Sequence, residues 1–225
     1  MKISSVVFSS SLKHVSPNVF GTVKTKTKKE KHTDFWWLLS FAFLIYSPRV
    51  QSGDPRVFTS NGAVVGSLVH FNDMLSNRQI DVKQFLGIPF ADKPLGELRF
   101  QKPQDARPWD NDDLQCKEMP KACVQYQPAP YPWRMDPEDP NISEDCLYLN
   151  VWVPKDANPR NKKAVFFWVY GGGFFMGSNR QEIYDGRVIA ALGDVIVVTP
   201  NYRLGSLGFW SNNSPTAPGN VGKYL

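Results

Sequence analysis

The sequence predicts an α/β fold in which helices flank a central, mostly parallel β-sheet. Two continuous apolar runs, at residues 164–170 and 195–199, are typical of strands that are buried on both faces of a sheet. The segment between them, residues 184–192, is helical in character and is closed by Gly193. Strand, loop, helix and strand in this order form a right-handed parallel βαβ unit, which indicates an α/β protein.

Further strands are predicted upstream of this unit. Residues 146–153 alternate between two faces, as a strand does, and residues 60–66 and 85–90 indicate short strands separated by turns. Residues 92–141 are rich in proline and charge, so we expect long surface loops there. No internal repeat and no inter-domain linker is evident after residue 53.

The net charge of +5 belongs to the first part of the chain. Residues 1–34 carry seven Lys against Glu30 and Asp34, and the remaining residues hold 19 basic and 19 acidic side chains. A nucleic-acid-binding domain carries its basic excess on the folded part, interleaved with aromatic residues. We therefore expect no nucleic-acid partner.

The basic segment is followed by an apolar stretch at residues 35–46 and by small residues around Ser52. This order is typical of a signal peptide, and the stretch is shorter than the roughly 20 residues of a membrane-spanning helix. We interpret residues 1–52 as a leader and residues 53–225 as the folded domain. The protein is then secreted, and it associates with a membrane only if the leader is an uncleaved anchor.

Three cysteines lie in the predicted domain: Cys116, Cys123 and Cys146. In an exported chain thiols tend to pair, and an odd number leaves one over. No metal-ligand spacing is present, and we expect neither a metal nor another cofactor. The sequon at Asn141 lies in a proline-rich loop and predicts N-glycosylation.

A glycine-rich loop follows the first continuous apolar run, with Gly171, Gly172 and Gly173 in succession. Glycines at the carboxyl end of a strand allow backbone N–H groups to approach an anion. The loop lacks the glycine spacing of a dinucleotide site, and Gly177 is not followed by the Lys of a P-loop. The oxyanion loop of an esterase or lipase remains, and a tight turn that needs small residues fits the spacing equally well.

Several motifs decide between these two interpretations, because together they resemble the carboxylesterase type B and cholinesterase family. The motif EDCLYLNVWVP at residues 144–154 matches the family signature at every position. The other matching motifs follow in family order: FLGIPFA at 85–91, LRF at 98–100, YGGGF at 170–174, NYRLGSLGF at 201–209 and APGNVG at 217–222. The resemblance implies the N-terminal part of an α/β-hydrolase fold.

The resemblance also implies roles for individual residues. Gly172 and Gly173 match the positions whose amides form two thirds of the oxyanion hole. Cys123 and Cys146 match the first disulfide of the family, which leaves Cys116 as the extra thiol.

Two further residues match a salt bridge of the family. Arg99 and Glu144 stand at the positions of a structural ion pair, so we interpret both as scaffold residues with no catalytic role.

The sequence departs from the family in lacking the nucleophile motif G-x-S-x-G. In relatives this motif follows APGNVG by a few tens of residues, and the acidic residue and the His come later still. We therefore expect the chain to end before the nucleophile elbow, without a catalytic triad, and to be inactive alone.

A cholinesterase-specific feature is also displaced. In that subset the choline-binding Trp lies ten residues before the second disulfide cysteine, where this chain has Asp136, and Trp133 is three residues out of register. Loop lengths differ between the two cysteines, and a gap placed differently brings Trp133 into that position. In the ungapped register, the difference favours a general carboxylesterase over a choline esterase.

The sequence thus predicts a fragment of a secreted serine hydrolase whose substrate is a small carboxylic ester. The alternative is a non-catalytic adhesion protein of the neuroligin or neurotactin type, in which the same fold is a binding module. The intact Gly-Gly-Gly-Phe loop favours the enzyme, but fold resemblance alone does not separate the two.

Overall fold

A computed structural model describes residues 53–109, 112–125 and 141–223. The predicted leader at residues 1–52, with its apolar stretch at 35–46, lies outside these ranges, as do Trp133 and Asp136. The strands are β1 (Arg56–Thr59), β2 (Gly62–Val65), β3 (Ser67–Asp73), β4 (Arg78–Pro89), β5 (Leu114–Gln115), β6 (Ala122–Cys123), β7 (Ile142–Ser143), β8 (Tyr148–Pro154), β9 (Val165–Phe167), β10 (Ile196–Pro200), β11 (Ser211–Ser214) and β12 (Ala217–Pro218). The α-helices are α1 (Arg187–Gly193) and α2 (Gly205–Phe209), and single 3-10 turns occupy Gly96–Leu98, Glu182–Tyr184 and Val221–Lys223.

A five-stranded sheet forms the centre, in the order β3-β4-β8-β10-β9. Its strands pair antiparallel except for β9 and β10, which pair parallel. The α/β class is present, but the described sheet is mixed and not mostly parallel. For β3 and β4 the physical reason is the connection, because a short turn at residues 74–77 joins them and a hairpin forces antiparallel pairing. The antiparallel pairs of β8 with β4 and with β10 join strands that are distant in sequence.

The predicted βαβ unit is β9, α1 and β10. Helix α1 ends at Gly193, and Asp194 adopts the left-handed conformation (φ 52°) that commonly terminates a helix. Ala190 of α1 is fully buried against Trp152 of β8 and Val197 of β10. The helix therefore covers one face of the sheet, where it packs on β4, β8 and β10.

A second core cluster occupies another part of the molecule. Val64, Phe85 and Val153 pack there around the free thiol of Cys116, which is completely buried. Burial raises the pKa of the Cys116 thiol to about 12 because a thiolate is poorly solvated in an apolar site.

Strand β9 differs from its prediction. The apolar run at residues 164–170 was expected to be buried on both faces, yet Val165, Phe166 and Phe167 are 61, 41 and 45% exposed. The expectation is wrong because β9 lies at the edge of the described sheet, where β10 pairs with one side of it. An apolar sequence indicates that a strand can be covered, but the neighbouring elements determine whether it is.

The proline-rich segment at residues 92–141 is largely loop, as predicted, in the part that the structure describes. No helix in the described ranges is long and apolar enough to cross a membrane.

Candidate active site: the glycine loop and its supports

The glycine loop begins directly after the parallel edge strand. The pairing of β9 with β10 extends one step further, since the N–H of Trp168 donates to the carbonyl of Val198 at 2.8 Å. Tyr170 is buried, and the chain then returns to the surface at Gly171. The loop therefore lies at the carboxyl end of a parallel strand, where α/β proteins bind their ligands.

The backbone of the loop is unusual at three successive residues. Gly172, Gly173 and Phe174 have positive φ angles of 145°, 62° and 65°. The carbonyl of Gly172 accepts hydrogen bonds from the N–H groups of Phe175 and Met176, both at 3.2 Å. This bend allows no side chain at Gly172, because a Cβ there would collide with the carbonyl oxygen of Met176.

The bend leaves several successive backbone donors without a partner among the described residues, those of Gly172 and Gly173 included. Among the described residues, no hydrogen-bond acceptor is paired with the N–H groups of Gly172 and Gly173, and Gly173 is exposed. Successive amides in a bend of positive φ angles form a concave surface that attracts an anion. The loop can therefore donate two hydrogen bonds to a negatively charged oxygen.

Two stacked tyrosines hold the entry to the loop. The rings of Tyr170 and Tyr202 stack with centroids 4.7 Å apart, and the Tyr202 hydroxyl donates to the carbonyl of Tyr170 at 3.0 Å. Burial raises the pKa of both hydroxyl groups, so both stay neutral and available as donors at physiological pH. The path of the chain into Gly171 is fixed by this pair.

A buried glutamine holds the exit of the loop. The side chain of Gln125 accepts from the N–H of Gly177 and donates to its carbonyl, both at 2.8 Å. Sequence reasoning missed Gln125, because it lies 52 residues upstream in a proline-rich segment. The one sequence signal for Gln125 is its position two residues after Cys123, a cysteine whose disulfide the family resemblance predicts.

The disulfide predicted from the resemblance is confirmed. Cys123 and Cys146 are bonded, with their Cα atoms 5.0 Å apart, and Cys116 is the free thiol. The bond lies two residues from Gln125 and ties that segment to the start of β8. The disulfide thus supports the exit of the glycine loop through Gln125.

Buried asparagines connect the loop to the sheet. The N–H of Asn179 donates to the side chain of Asn201 at 2.9 Å, and its side-chain amide donates to the carbonyl of Thr199. Asn150 of β8 donates to the carbonyl of Asn179 and accepts from the N–H of Gly87. The asparagines of two sequence motifs therefore have a structural role beneath the loop.

The two scaffold residues are paired as the resemblance implies. The guanidinium of Arg99 donates two hydrogen bonds to the Glu144 carboxylate, both at 2.6 Å. These hydrogen bonds raise the pKa of Arg99. The ion pair is partly exposed, so it fixes geometry more than it contributes stability.

The sequon residue Asn141 directly precedes β7. Its carbonyl accepts from the N–H of Ala122, and its side chain is partly exposed. It lies three residues before Glu144 in the sequence.

Comparison with known proteins shows which proteins this chain is similar to. The chain is 50% identical to the acetylcholinesterase of Electrophorus electricus over 187 residues, which is 80% of this chain and 28% of the relative. It is 48% identical to the acetylcholinesterase of Danio rerio over 145 residues, covering 62% of this chain and 23% of the relative. The acetylcholinesterase of Bungarus fasciatus is 40% identical over 198 residues, which is 83% of this chain and 31% of the relative.

These relatives are much longer than this chain, which spans between 23% and 31% of their length. The sequence model of the carboxylesterase family matches residues 53–224, which is most of the chain. The mixed sheet described above is consistent with part of the α/β-hydrolase fold. The chain therefore belongs to the carboxylesterase family.

Proposed function

We propose that this chain supplies the oxyanion-stabilising loop of a serine carboxylic-ester hydrolase. One observation carries the proposal: the amides of Gly172 and Gly173 are unpaired in a loop that Tyr202 and Gln125 hold at either end. Donors that are fixed before the reaction stabilise a developing negative charge without reorganising. The family match supports the same chemistry.

In this mechanism a serine attacks the ester carbonyl, and a histidine accepts the serine proton. The carbonyl oxygen gains a negative charge as the tetrahedral intermediate forms, and the two amides donate to that oxygen. The histidine then returns the proton to the leaving alcohol as the ester C–O bond breaks, and water attacks the resulting acyl-enzyme in the same way to release the carboxylic acid and the free serine. The serine, the histidine and the acidic residue that orients it are not assigned to residues of this chain, and we place them in the complete protein.

The substrate class is proposed as carboxylic esters. The named relatives are acetylcholinesterases, which favours esters of choline. Asp136 at the position expected for the choline-binding Trp favours simpler alkyl or aryl esters. We rank simple esters first and expect kcat/KM for acetylthiocholine and for an aryl acetate to separate the two.

Secretion and glycosylation at Asn141 complete the proposal. The apolar stretch at residues 35–46 supports export, and the disulfide between Cys123 and Cys146 suits an oxidising compartment. Removal of glycan from the secreted protein by an amidase, with a shift in mass at Asn141, checks both features.

The decisive experiment substitutes Gly173→Val in the complete, active protein. A Cβ at Gly173 lies 2.6 Å from the ring of Phe175, and the positive φ disfavours any β-branched residue. We expect kcat to fall by about 10²–10³, the usual effect of losing one oxyanion donor. KM changes less, because the contact strengthens only as the oxygen becomes charged.

Gly171→Ala is the matched control. A Cβ at Gly171 meets no atom within 4 Å, so this variant changes the same loop without displacing it. Gly177→Ala is unsuitable as a control, since its Cβ would lie 2.6 Å from the Tyr170 ring. Near-normal kcat in a folded Gly173→Val variant would show that the glycines only form a turn, and a complete protein without any esterase activity would favour the adhesion-type module.

A further inference from the structure

Phe174 has a backbone conformation that a bulky side chain rarely adopts. The N–H of Phe175 donates to the carbonyl of Gly172 at 3.2 Å, and the two residues between them, Gly173 and Phe174, have φ angles of 62° and 65°. A hydrogen-bonded turn with two positive φ angles at its centre is a type I′ turn, whose central positions usually hold Asn, Asp or Gly. Phenylalanine is strained there, because in the left-handed region its Cβ lies too close to the following carbonyl oxygen.

Burial holds Phe174 only weakly, since the residue is 63% exposed, whereas α2 contacts it twice. The N–H of Gly205, the first residue of α2, donates to the carbonyl of Phe174 at 2.8 Å. The ring of Phe209, the last residue of α2, meets the Phe174 ring edge to face, with the centroids 5.3 Å apart. Strained conformations persist where the surrounding structure over-determines them, and here α2 contacts both the backbone and the side chain of the strained residue.

Close backbone approaches fix α2 in turn. A Cβ on Gly208 would collide with the carbonyl oxygen of Arg203, and a Cβ on Gly222 would lie 2.9 Å from two atoms of the Phe209 ring. Neither approach leaves room for α2 or its ring to shift toward these segments. The Phe209 ring is therefore confined by its contacts with the glycine loop and with the turn at Val221–Lys223.

We propose that Phe209 is a positioning residue for the oxyanion loop. Its ring holds Phe174 in the left-handed conformation and thereby keeps the turn that presents the amides of Gly172 and Gly173. Release of Phe174 to a negative φ breaks this turn and reorients the neighbouring amides, and donors that are misplaced stabilise the developing charge less well. The inference rests on the proposed function, because the turn affects the reaction rate only if these amides bind the oxyanion.

Two substitutions of Phe174 in the complete protein separate the strain from the ring contact. Phe174→Ala removes the ring but keeps the Cβ that makes a positive φ unfavourable, whereas Phe174→Gly removes both. We expect kcat for an aryl acetate to fall about tenfold in Phe174→Ala, because the penalty on a side chain in this conformation corresponds to a factor of about this size. In Phe174→Gly, kcat should stay within about twofold of the unsubstituted value.

Phe209→Ala tests the support itself. It leaves the Phe174 ring without its partner, and we expect kcat to fall about tenfold while KM changes less. In the Phe174→Gly background the same substitution should change kcat by less than about twofold, because a glycine needs no support at this φ. Trp210→Ala is the matched control: it removes the next aromatic ring along the chain, which packs on Phe100, and should leave kcat unchanged.

Amide hydrogen exchange of the same variants provides a readout that does not require activity. Mass spectrometry on peptides that contain Gly205 follows the N–H that donates to Phe174. We expect its exchange to become about tenfold faster in Phe209→Ala and to slow again when Phe174→Gly is added.

Equal kcat in Phe174→Ala and Phe174→Gly would overturn the proposal, since the strain would then have no effect on the rate. A loss in Trp210→Ala as large as that in Phe209→Ala would overturn it as well, because it indicates general destabilisation. Unchanged exchange at Gly205 in Phe209→Ala, or faster exchange with unchanged kcat, also contradicts it. A complete protein without esterase activity contradicts the proposed function instead, and exchange at Gly205 then still decides whether Phe209 holds the loop.

Discussion

Strands β8 and β9 contain similar apolar residues but have opposite environments. In β8, Trp152 and Val153 are completely buried, since β4 and β10 flank the strand and α1 covers one face. In β9, Phe166 and Phe167 are 41 and 45% exposed at the edge of the described sheet. The comparison teaches that an apolar strand stabilises the fold only where neighbouring elements bury its side chains. The composition of the strand alone does not predict that burial.

The largest expected effect separates the two strands directly. Trp152→Ala removes a fully buried ring whose Nε1 donates to Gln84 at 3.1 Å, and we expect a loss of about 3–5 kcal/mol in the free energy of unfolding. Phe166→Ala on β9 should cost far less, because much of its ring already contacts solvent. Urea unfolding followed by fluorescence or circular dichroism measures both, and equal losses would contradict the comparison.

Removal of the disulfide tests whether it stabilises the fold and the exit of the glycine loop at Gly177. Substitution of Cys123 and Cys146 by Ala should lower the free energy of unfolding by about 3 kcal/mol, because the bond closes a long loop in the unfolded chain. Through Gln125 it should also increase amide exchange at Gly177 more than at β9. Unchanged exchange at Gly177 would show that Gln125 holds the loop without help from the disulfide.

The smallest effect on stability is expected at the exposed edge. Val165→Lys places a charge on a 61% exposed position of β9 and should change the free energy of unfolding by less than about 0.5 kcal/mol. It should nevertheless reduce self-association, since charged side chains protect open edges. Leu75→Lys, in the fully exposed turn between β3 and β4, is the matched control. Sedimentation velocity checks the pair, and equal association of both variants would contradict the role of the edge.

The βαβ unit was predictable because it depends on local periodicity, and its helix ends where Gly193 indicates. The antiparallel pairing of β4 with β8 was not predictable from the sequence. Charged residues interrupt the apolar pattern of β4, and its partner strand is distant in sequence. Hydropathy likewise does not encode an edge position, which is why β9 was expected to be buried.

The glycine loop itself was identified from its residues, whereas its supports were not. Three successive glycines after a strand marked the loop, and the family resemblance singled out Gly172 and Gly173 within it. Gln125 contacts Gly177 and Tyr202 contacts Tyr170 across sequence separations of 52 and 32 residues. Residue type alone does not predict contacts of this kind. The left-handed conformation of Phe174 depends on packing and is visible only in three dimensions.

The burial of Cys116 determines how the three thiols of this chain can oxidise. Thiol–disulfide exchange requires a thiolate with access to the sulfur that it attacks. With a pKa raised to about 12 and no exposed surface, Cys116 offers neither once the core around Phe85 and Val153 has formed. Cys116 can therefore attack the disulfide between Cys123 and Cys146 only before the sheet assembles. Once the chain has folded, the pairing of Cys123 with Cys146 is kept.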